Sequence, residues 1–290
     1  MYLLDWKTQY IVLLCLPKYI KKRIFIITWK LNKRNHSDIY IMLYILPIIC
    51  TFGFSGSNSF KSLELPLYQA ENRCFIKKDM YLSLEDEQLL NKVEENIFEK
   101  KINTRLPKYI GYFKEHTTNS IFTWELIAAL SYQESHWNHK AISKTQVKGL
   151  MMLTKDTANY IGVKNRLDPD ESVYGGVKYL ENIYKRLPKS VVGSDRIWMA
   201  LAAYNVGLGH LEDARIITQK FGENPNYWSD VKKYLPYLRL KKFYKNTKYG
   251  YARGNEPVIY VKRIQAYLNI IYNNKKPFLA SLSFKEVFNN

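Results

Sequence analysis

The stretch TWELIAALSYQESHWN, residues 123–138, predicts a helix with a carboxylate at the end of its apolar face. Thr123 can cap this helix, because a threonine hydroxyl accepts a hydrogen bond from a free amide of the first turn. Ile127, Leu130 and Glu134 follow one another at helical spacing and therefore share one face. If that face packs into a core, Glu134 loses water, which raises the pKa of a carboxyl group and suits it to general acid catalysis. The same spacing also fits a glutamate that points into solvent at the helix end.

The chain after residue 57 carries this helical spacing of apolar residues repeatedly. Besides the first stretch, it occurs in three groups: Leu89, Leu90, Val93 and Ile97; Val177, Leu180 and Tyr184; and Val261, Ile264, Leu268 and Ile271. Alternation typical of β-strands is almost absent. Breaks fall at Pro107, Gly149, Gly162, Pro188, Gly207, Gly209, Pro225, Pro236 and Gly254. We therefore predict an all-α fold with one compact domain over residues 100–273.

The composition excludes several classes of protein. The chain has 290 residues, of which 47% are apolar and 15% aromatic, and this is too many for a disordered chain. Cys15, Cys50 and Cys74 are too few for a disulfide framework, and no CxxC pair indicates a zinc site. The net charge of +18 indicates either an anionic partner or a drift of composition. Because the basic residues are scattered, we do not expect nucleic acid to be the partner.

An uncharged run, IYIMLYILPIICTFGF at residues 39–54, follows Lys30, Lys33 and Arg34 and precedes a group of small residues. This order is typical of a secretory signal, and the run is shorter than the roughly 20 residues of a membrane-spanning helix. An anchor that stays attached is the alternative. The predicted organisation has four parts. A basic extension with the signal or anchor covers residues 1–57, and a linker with one helix covers residues 58–99. The compact domain covers residues 100–273, and a C-terminal tail covers residues 274–290.

Several separated motifs occur in a family-like order along the compact domain. They are ESHWN at 134–138, AIS at 141–143, KGLMML at 148–153, TA at 157–158, AAYNVG at 202–207, YGYARG at 249–254 with Glu256, and YV at 260–261. In combination they resemble the catalytic domain of the soluble-type (SLT) lytic transglycosylases. The resemblance covers residues 100–273, which is well over half of the chain.

The resemblance implies a goose-lysozyme-like α-helical fold that cleaves the β-1,4 bonds between MurNAc and GlcNAc in peptidoglycan. The family glutamate matches Glu134. In the family it protonates the glycosidic oxygen and then takes the proton of the C6 hydroxyl of MurNAc, which closes on C1 to leave a 1,6-anhydro end. Because the substrate supplies this nucleophile, the second carboxylate of ordinary glycosidases is not needed.

No other carboxylate in the sequence has an equally strong case as a catalytic group. Asp168 and Asp170 lie in a predicted turn, Asp195 is predicted to cap a later helix, and Glu256 precedes a proline at a predicted helix start. We therefore predict that Glu134 acts as the single catalytic carboxylate.

By the same resemblance, eight further residues line the substrate cleft. They are Ser135, Ser143, Gly149, Leu150, Met151, Tyr204, Asn205 and Tyr260. The two tyrosines are expected to face the glutamate, the serines to hydrogen-bond near it, and residues 149–151 to line the sugar subsites through backbone and methionine. From the residues alone, such tyrosines and methionines are as readily core side chains.

We expect no cofactor and no metal, because His136 and His139 lie three residues apart without a third ligand at metal spacing. The resemblance implies peptidoglycan glycan strands as the partner and an exported protein in the periplasm or at the inner face of the outer membrane. Peripheral association with a membrane is a further option.

The sequence departs from the family in two places. Gln146 stands where the family usually has glycine, and a side chain there costs about 1 kcal/mol if the position requires a positive φ. The branch of the family with the greatest resemblance also carries a long solute-binding-like domain, whereas only residues 58–99 precede the predicted domain here. Two alternatives therefore stay open, namely a lysozyme-type hydrolase and an inactive peptidoglycan-binding remnant.

Overall fold

The computed structural model of the chain describes residues 90–274. The predicted signal or anchor, residues 58–89 of the predicted linker and residues 275–290 of the predicted tail lie outside the described residues. The described helices are α1 (Lys92–Thr104), α2 (Ile110–Thr117), α3 (Trp124–Ser135), α4 (Lys155–Ile161), α5 (Pro169–Arg186), α6 (Gly193–Val206), α7 (Leu208–Lys220), α8 (Trp228–Tyr234), α9 (Lys241–Tyr244) and α10 (Asn255–Asn273). Two 3₁₀-helices, Leu106–Lys108 and Leu235–Arg239, precede α2 and α9.

Residues 90–274 contain helices and no β-strand, which confirms the all-α prediction over this range. Their only β-type pairing is two isolated bridges, Ile142 with Lys148 and Lys148 with Leu153, in the loop between α3 and α4. No helix within the described range is both long and apolar enough to cross a membrane.

The core forms where α3 packs on α10 and α10 packs on α6. Ile127 and Leu130 of α3 are fully buried, as their spacing predicts, and so are Val261 and Ile264 of α10. Burial of each such side chain contributes roughly 1.5–3 kcal/mol to stability. Glu134 lies one turn beyond Leu130 on the same face of α3. Because this face packs against α10, the carboxyl group of Glu134 lies next to α10.

Helix α6 can approach its neighbours closely near its end, where small residues are buried. Ala202 and Ala203 are fully buried near its end. The predicted turn after α6 forms at Gly207, which has a φ of 91°. The prediction that Gly209 belongs to this turn is wrong, because Gly209 lies inside α7. Its lack of a side chain serves close packing, since a Cβ there would lie 2.6 Å from the ring of Tyr249.

The apolar face predicted for α1 is only partly correct. Leu90 is buried, but Val93 is 66% exposed and Ile97 is 48% exposed. The helix instead buries Phe98, whose ring lies 4.4 Å from the ring of Tyr132 between centroids. A large aromatic side chain gains more from burial than the smaller aliphatic ones, so Phe98 sets the face that α1 turns inward.

Candidate active site

Glu134 lies in the last turn of α3, directly before a sharp reversal of the chain. Thr123 caps the start of α3, as predicted, by accepting a 3.3 Å hydrogen bond from the amide of Leu126. After Ser135 the helix ends at His136, whose φ is 52°, and Trp137 follows with a φ of 55°. Two consecutive left-handed residues without glycine cost about 1–2 kcal/mol each.

Trp137 holds this reversal in place. Its side chain is buried, and its indole nitrogen donates a 2.9 Å hydrogen bond to the carbonyl of Ala128 in α3. Its ring also packs edge-on against Tyr132, with the centroids 4.8 Å apart. Burial of a large aromatic group offsets the strained backbone, and the end of α3 beside Glu134 is therefore fixed rather than frayed.

The residue Glu134 as a whole is half-buried, and its carboxyl group is buried against Tyr260 of α10. Burial raises the pKa of Glu134 to about 7, because the charged form loses water, and the hydrogen bond from Tyr260 partly opposes this by stabilising the charged form. This is the direction expected for a carboxyl group on a face that packs into the core. Glu134 can therefore hold a proton near neutral pH and also release it, as a group that alternates between acid and base must.

Tyr260 donates a short hydrogen bond from its hydroxyl to Oε1 of Glu134. The tyrosine is buried, and its pKa is well above the usual value. Burial is the larger cause, and the negative charge of Glu134 is the next. Tyr260 consequently stays protonated and acts only as a donor towards the carboxylate. The prediction that Tyr260 faces Glu134 is confirmed.

Tyr204 lies close to the same carboxyl group, but its hydroxyl has a different partner. Burial and then the charge of Glu134 raise its pKa well above the usual value, which indicates proximity to that charge. The hydroxyl donates a 2.9 Å hydrogen bond to the carbonyl of Met151. Tyr204 therefore braces the loop that follows α3, and the expectation that its hydroxyl faces Glu134 stays a prediction. Asn205, the next predicted residue, is exposed at the end of α6.

The backbone at residues 150 and 151 is held by hydroxyl groups. Ser131 and Ser135 donate hydrogen bonds of 3.2 and 2.9 Å to the carbonyl of Leu150. The amide of Met151 donates a 3.2 Å hydrogen bond to Oγ of Ser172 in α5. Ser135 thus ties the last turn of α3, and with it Glu134, to this loop.

The side chains of Leu150 and Met151 are both fully buried in the core. The prediction that the Met151 side chain lines a sugar subsite is therefore wrong for this conformation, because a fully buried side chain presents no surface to a sugar. Lining of the subsites by the backbone here stays a prediction. Half-buried Met152, with a φ of 46°, is the neighbouring methionine that reaches the surface.

Gly149 occupies a position that admits no side chain. Its φ is 85°, and an added Cβ would lie 1.8 Å from the carbonyl oxygen of Arg166 and 2.7 Å from Oγ of Ser172. Close approach of two backbones thus explains this glycine. Arg166 and Ser172 were not predicted as site residues, because neither shows any periodic or motif signal in the sequence.

Ser143 stabilises its own loop. Its hydroxyl lies 2.9 Å from Oγ1 of Thr145 and accepts a 3.2 Å hydrogen bond from the amide of Val147. These bonds define a turn between α3 and α4. No hydrogen bond between Ser143 and Glu134 forms among the described residues, so the predicted bond near the glutamate is replaced by bonds within the turn.

Gln146, the departure from the family pattern, has a φ of 62°. The position therefore favours glycine, and we expect the glutamine side chain to cost about 1 kcal/mol there. Its carbonyl accepts a 2.8 Å hydrogen bond from Arg166, which fixes the strained turn in place.

We expect Gln146→Gly to stabilise the protein by up to about 1 kcal/mol. Glycine relieves the left-handed strain, and the greater freedom of glycine in the unfolded chain reduces part of that gain. Urea unfolding monitored by circular dichroism measures the change, with Gln133→Gly inside α3 as the control that should destabilise by about 1 kcal/mol. A loss of stability in Gln146→Gly would show that the side chain contributes more than its backbone strain costs.

Three of the four other candidate carboxylates have structural partners. Asp168 caps α5, as the turn prediction anticipated, and Asp170 lies 2.6 Å from Nε2 of His116. The prediction that Asp195 caps α6 is wrong. Asp195 lies in the first turn of α6 and accepts a 2.7 Å hydrogen bond from the amide of Trp228, where α8 begins. A free amide at a helix start needs such a partner.

The described range also contains no group of three or more His, Cys, Asp or Glu that could hold a metal ion. His139 instead lies 3.0 Å from the hydroxyl of Tyr109, between Nδ1 and the oxygen. The absence of a metal site elsewhere in the chain stays a prediction.

The helical domain that carries Glu134 matches a known family of domains. Residues 111–226 match the family model described as Transglycosylase SLT domain. This part of the chain therefore belongs to the SLT transglycosylase domain family, as its motifs predicted.

Its similar relatives include proteins named membrane-bound lytic murein transglycosylase F. The one from Marinobacter nauticus is 47% identical over 194 residues, covering 67% of this chain and 39% of the relative. The one from Saccharophagus degradans is 52% identical over 179 residues, covering 62% of this chain and 36% of the relative. The chain thus spans less than two fifths of the length of these relatives.

A solved structure shows a more distant likeness. The complex of the 70-kDa soluble lytic transglycosylase with bulgecin A aligns with a TM-score of 0.42 at 19% identity, covering 72% of this chain and 31% of that chain.

Proposed function

We propose that this chain is a peptidoglycan lytic transglycosylase that cleaves MurNAc–GlcNAc β-1,4 bonds and leaves 1,6-anhydroMurNAc ends. The observation that carries the proposal is the buried carboxyl group of Glu134, whose pKa burial raises to about 7. No second carboxylate among residues 90–274 contributes to that shift. The names of the relatives, which describe lytic murein transglycosylases, support the same activity.

In the first step, protonated Glu134 donates its proton to the glycosidic oxygen. The bond between C1 of MurNAc and that oxygen breaks, and the departing sugar keeps the bonding electrons and the proton. Positive charge develops at C1, and Glu134 becomes a carboxylate. Tyr260 stabilises that carboxylate through its hydrogen bond, so the proton leaves Glu134 more easily than burial alone would allow.

In the second step, the Glu134 carboxylate takes the proton of the C6 hydroxyl of the same MurNAc. The C6 oxygen forms a bond to C1 and closes the 1,6-anhydro ring. Glu134 regains the proton that it gave, and no water is consumed. One carboxyl group that can both donate and accept a proton near neutral pH is sufficient for these two steps.

A lysozyme-type hydrolase is the second candidate, because the first step is the same in both reactions. A hydrolase then has to activate water or to stabilise a covalent intermediate, which ordinary glycosidases do with a second carboxylate. The partners of Asp168, Asp170 and Asp195 described above favour the transglycosylase.

Mass spectrometry of muropeptides released from purified sacculi tests the proposal. We expect ends that are lighter by one water than the corresponding reducing ends. Reducing ends alone would make the protein a hydrolase, and sacculus binding without any product would make it a binding remnant.

The pH dependence of cleavage offers a separate prediction. Because the acid must be protonated, we expect the rate on soluble glycan strands to fall above a pH of about 7. Tyr260→Phe removes the hydrogen bond that stabilises the charged form of Glu134, so the pKa rises and the alkaline limb moves to higher pH with a lower maximal rate. Tyr267→Phe, also buried on α10 but hydrogen-bonded to Arg263, is the matched control. An unmoved limb in Tyr260→Phe would contradict the role of this hydrogen bond.

We further propose that the domain acts in the cell envelope, where peptidoglycan lies. The word "membrane-bound" in the names of the relatives supports this location. Residues 1–57 then serve export or anchoring, residues 58–99 supply a linker and most of the helix α1 that packs on the domain, residues 100–273 carry the catalysis and residues 274–290 form a tail. N-terminal sequencing of the protein recovered from the envelope fraction tests export: a start near residue 57 supports a cleaved signal, and an intact N-terminus supports an anchor.

A further inference from the structure

A small pocket of about 320 Å³ lies beside the proposed active site. It is lined by Arg239, Tyr251, Arg253, Asn255 and Glu256. These residues come from the end of the second 3₁₀-helix, the YGYARG motif and the start of α10. The mechanism above uses none of them.

The pocket lies one helical turn from the catalytic contact. Glu256 and Tyr260 are four residues apart on α10, so they share a face and are separated by about 6 Å along the helix axis. Tyr260 in turn contacts Glu134. The pocket and the contact between Tyr260 and Glu134 are therefore about one turn of α10 apart.

Specific packing contacts and a hydrogen bond hold the backbone around the pocket. The amide of Ala252 donates a 3.1 Å hydrogen bond to the carbonyl of Leu238, which joins the motif to the 3₁₀-helix. Gly254 packs so tightly that a Cβ would lie 1.7 Å from the carbonyl oxygen of Leu235. Tyr251 packs edge-on against Tyr244 at a centroid distance of 5.7 Å. These contacts hold the backbone at Arg239 and at Arg253 close together, because Leu238 and Ala252 are their chain neighbours.

The charge of the pocket suits an anion. It contains two guanidinium groups and one carboxylate. Arg253 pairs with Glu256 at 3.3 Å, but the two side chains are 73% and 57% exposed, and such an exposed pair is weak and easily exchanged. Arg239 is exposed and forms no ion pair within residues 90–274. A guanidinium group without a partner, beside one that is weakly paired, is suited to bidentate binding of a carboxylate.

We propose that this pocket binds a carboxylate of the peptide stem on the murein strand while Glu134 cuts the strand. The inference rests on the proposed function. Sugar rings of the glycan offer hydroxyl and amide groups but no full charge to the arginines, whereas the peptide stems carry carboxylates. A volume of about 320 Å³ accommodates a short charged segment rather than a folded partner.

The proposal is tested with two glycan substrates and one charge-removing variant. Initial rates at low substrate are measured on soluble strands whose stems keep their free carboxylates and on the same strands after every stem carboxylate has been amidated. The variant Arg239→Gln/Arg253→Gln should lose at least about ten-fold on the strands with free carboxylates and nothing on the amidated strands. Arg186→Gln, an exposed arginine on α5 outside the pocket, should match the wild type on both. Equal losses on both substrates, or no loss on either, would overturn the proposal.

Direct binding separates a failure of the pocket from a failure of the proposed function. The probes are a free stem peptide and the same peptide with every carboxyl group amidated, titrated into the wild type and the double variant by calorimetry. We expect only the free peptide to bind, and only to the wild type. Binding of the amidated peptide, or displacement of the free peptide by equimolar inorganic phosphate, would contradict a carboxylate site. A wild type that binds the stem yet cuts neither strand would contradict the transglycosylase and leave the pocket supported.

Discussion

Glu134→Gln is expected to abolish cleavage of peptidoglycan while sacculus binding stays intact. Glutamine has nearly the same shape and can accept the hydrogen bond of Tyr260, but it cannot donate a proton to the glycosidic oxygen or take one from the C6 hydroxyl. General acid–base catalysis contributes about 10²–10⁴-fold to a rate, and one residue here performs both transfers, so the loss should reach at least the upper part of that range. Release of soluble muropeptides measures the rate, and cosedimentation with sacculi measures binding.

Glu115→Gln is the matched control for this substitution. Glu115 is an exposed glutamate on α2, far along the sequence from the last turn of α3, and the change removes the same charge. We expect it to leave the rate unchanged. If Glu134→Gln retained the rate of the wild type, Glu134 would have no place in the mechanism.

The same substitution should stabilise the folded protein at alkaline pH. The pKa of Glu134 is about 7 in the folded protein and about 4.5 when unperturbed, so the folded state favours the protonated form. The contribution of Glu134 to stability is therefore fully present below a pH of about 4.5 and is lost as the pH rises through about 7. The difference corresponds to a loss of up to about 3 kcal/mol, which the neutral glutamine avoids.

Urea unfolding of the wild type and of Glu134→Gln at a low and a high pH measures this effect. We expect the two proteins to be nearly equally stable at pH 4 and the variant to be more stable at pH 8. The comparison at low pH is an internal control, because any change of packing caused by the amide appears there too. A variant that is not stabilised at pH 8 would show that the carboxyl group is better solvated than its burial indicates.

The half of the site that lies on α3 was predictable from the sequence, because helical periodicity is a local property. Ile127 and Leu130 mark the buried face and Glu134 continues it, but this spacing also fits a glutamate in solvent, and only the surrounding motifs favoured the buried carboxyl group. The partner of Glu134 was not predictable from spacing. Tyr260 lies 126 residues away along the chain and meets Glu134 only because α10 packs on α3. Resemblance to a family supplied this contact.

The features that sequence analysis missed depend on which of several acceptable packings the chain adopts. The spacing on α1 allowed a face with Val93 and Ile97, but the aromatic contacts of Phe98 select another one. Gly209 looked like a turn residue, yet its role is to admit the ring of Tyr249. Met151 carries no signal that separates a core side chain from a sugar contact, since both favour a flexible apolar group.

Cleavage of glycan strands in water enriched in heavy oxygen tests the central claim most directly. A lytic transglycosylase closes C1 with the C6 oxygen of the substrate, so the account predicts product ends that carry no heavy oxygen and are lighter by one water than reducing ends. A hydrolase places oxygen from the solvent at C1. Product ends that carry one heavy oxygen from the first turnover would contradict the proposed mechanism.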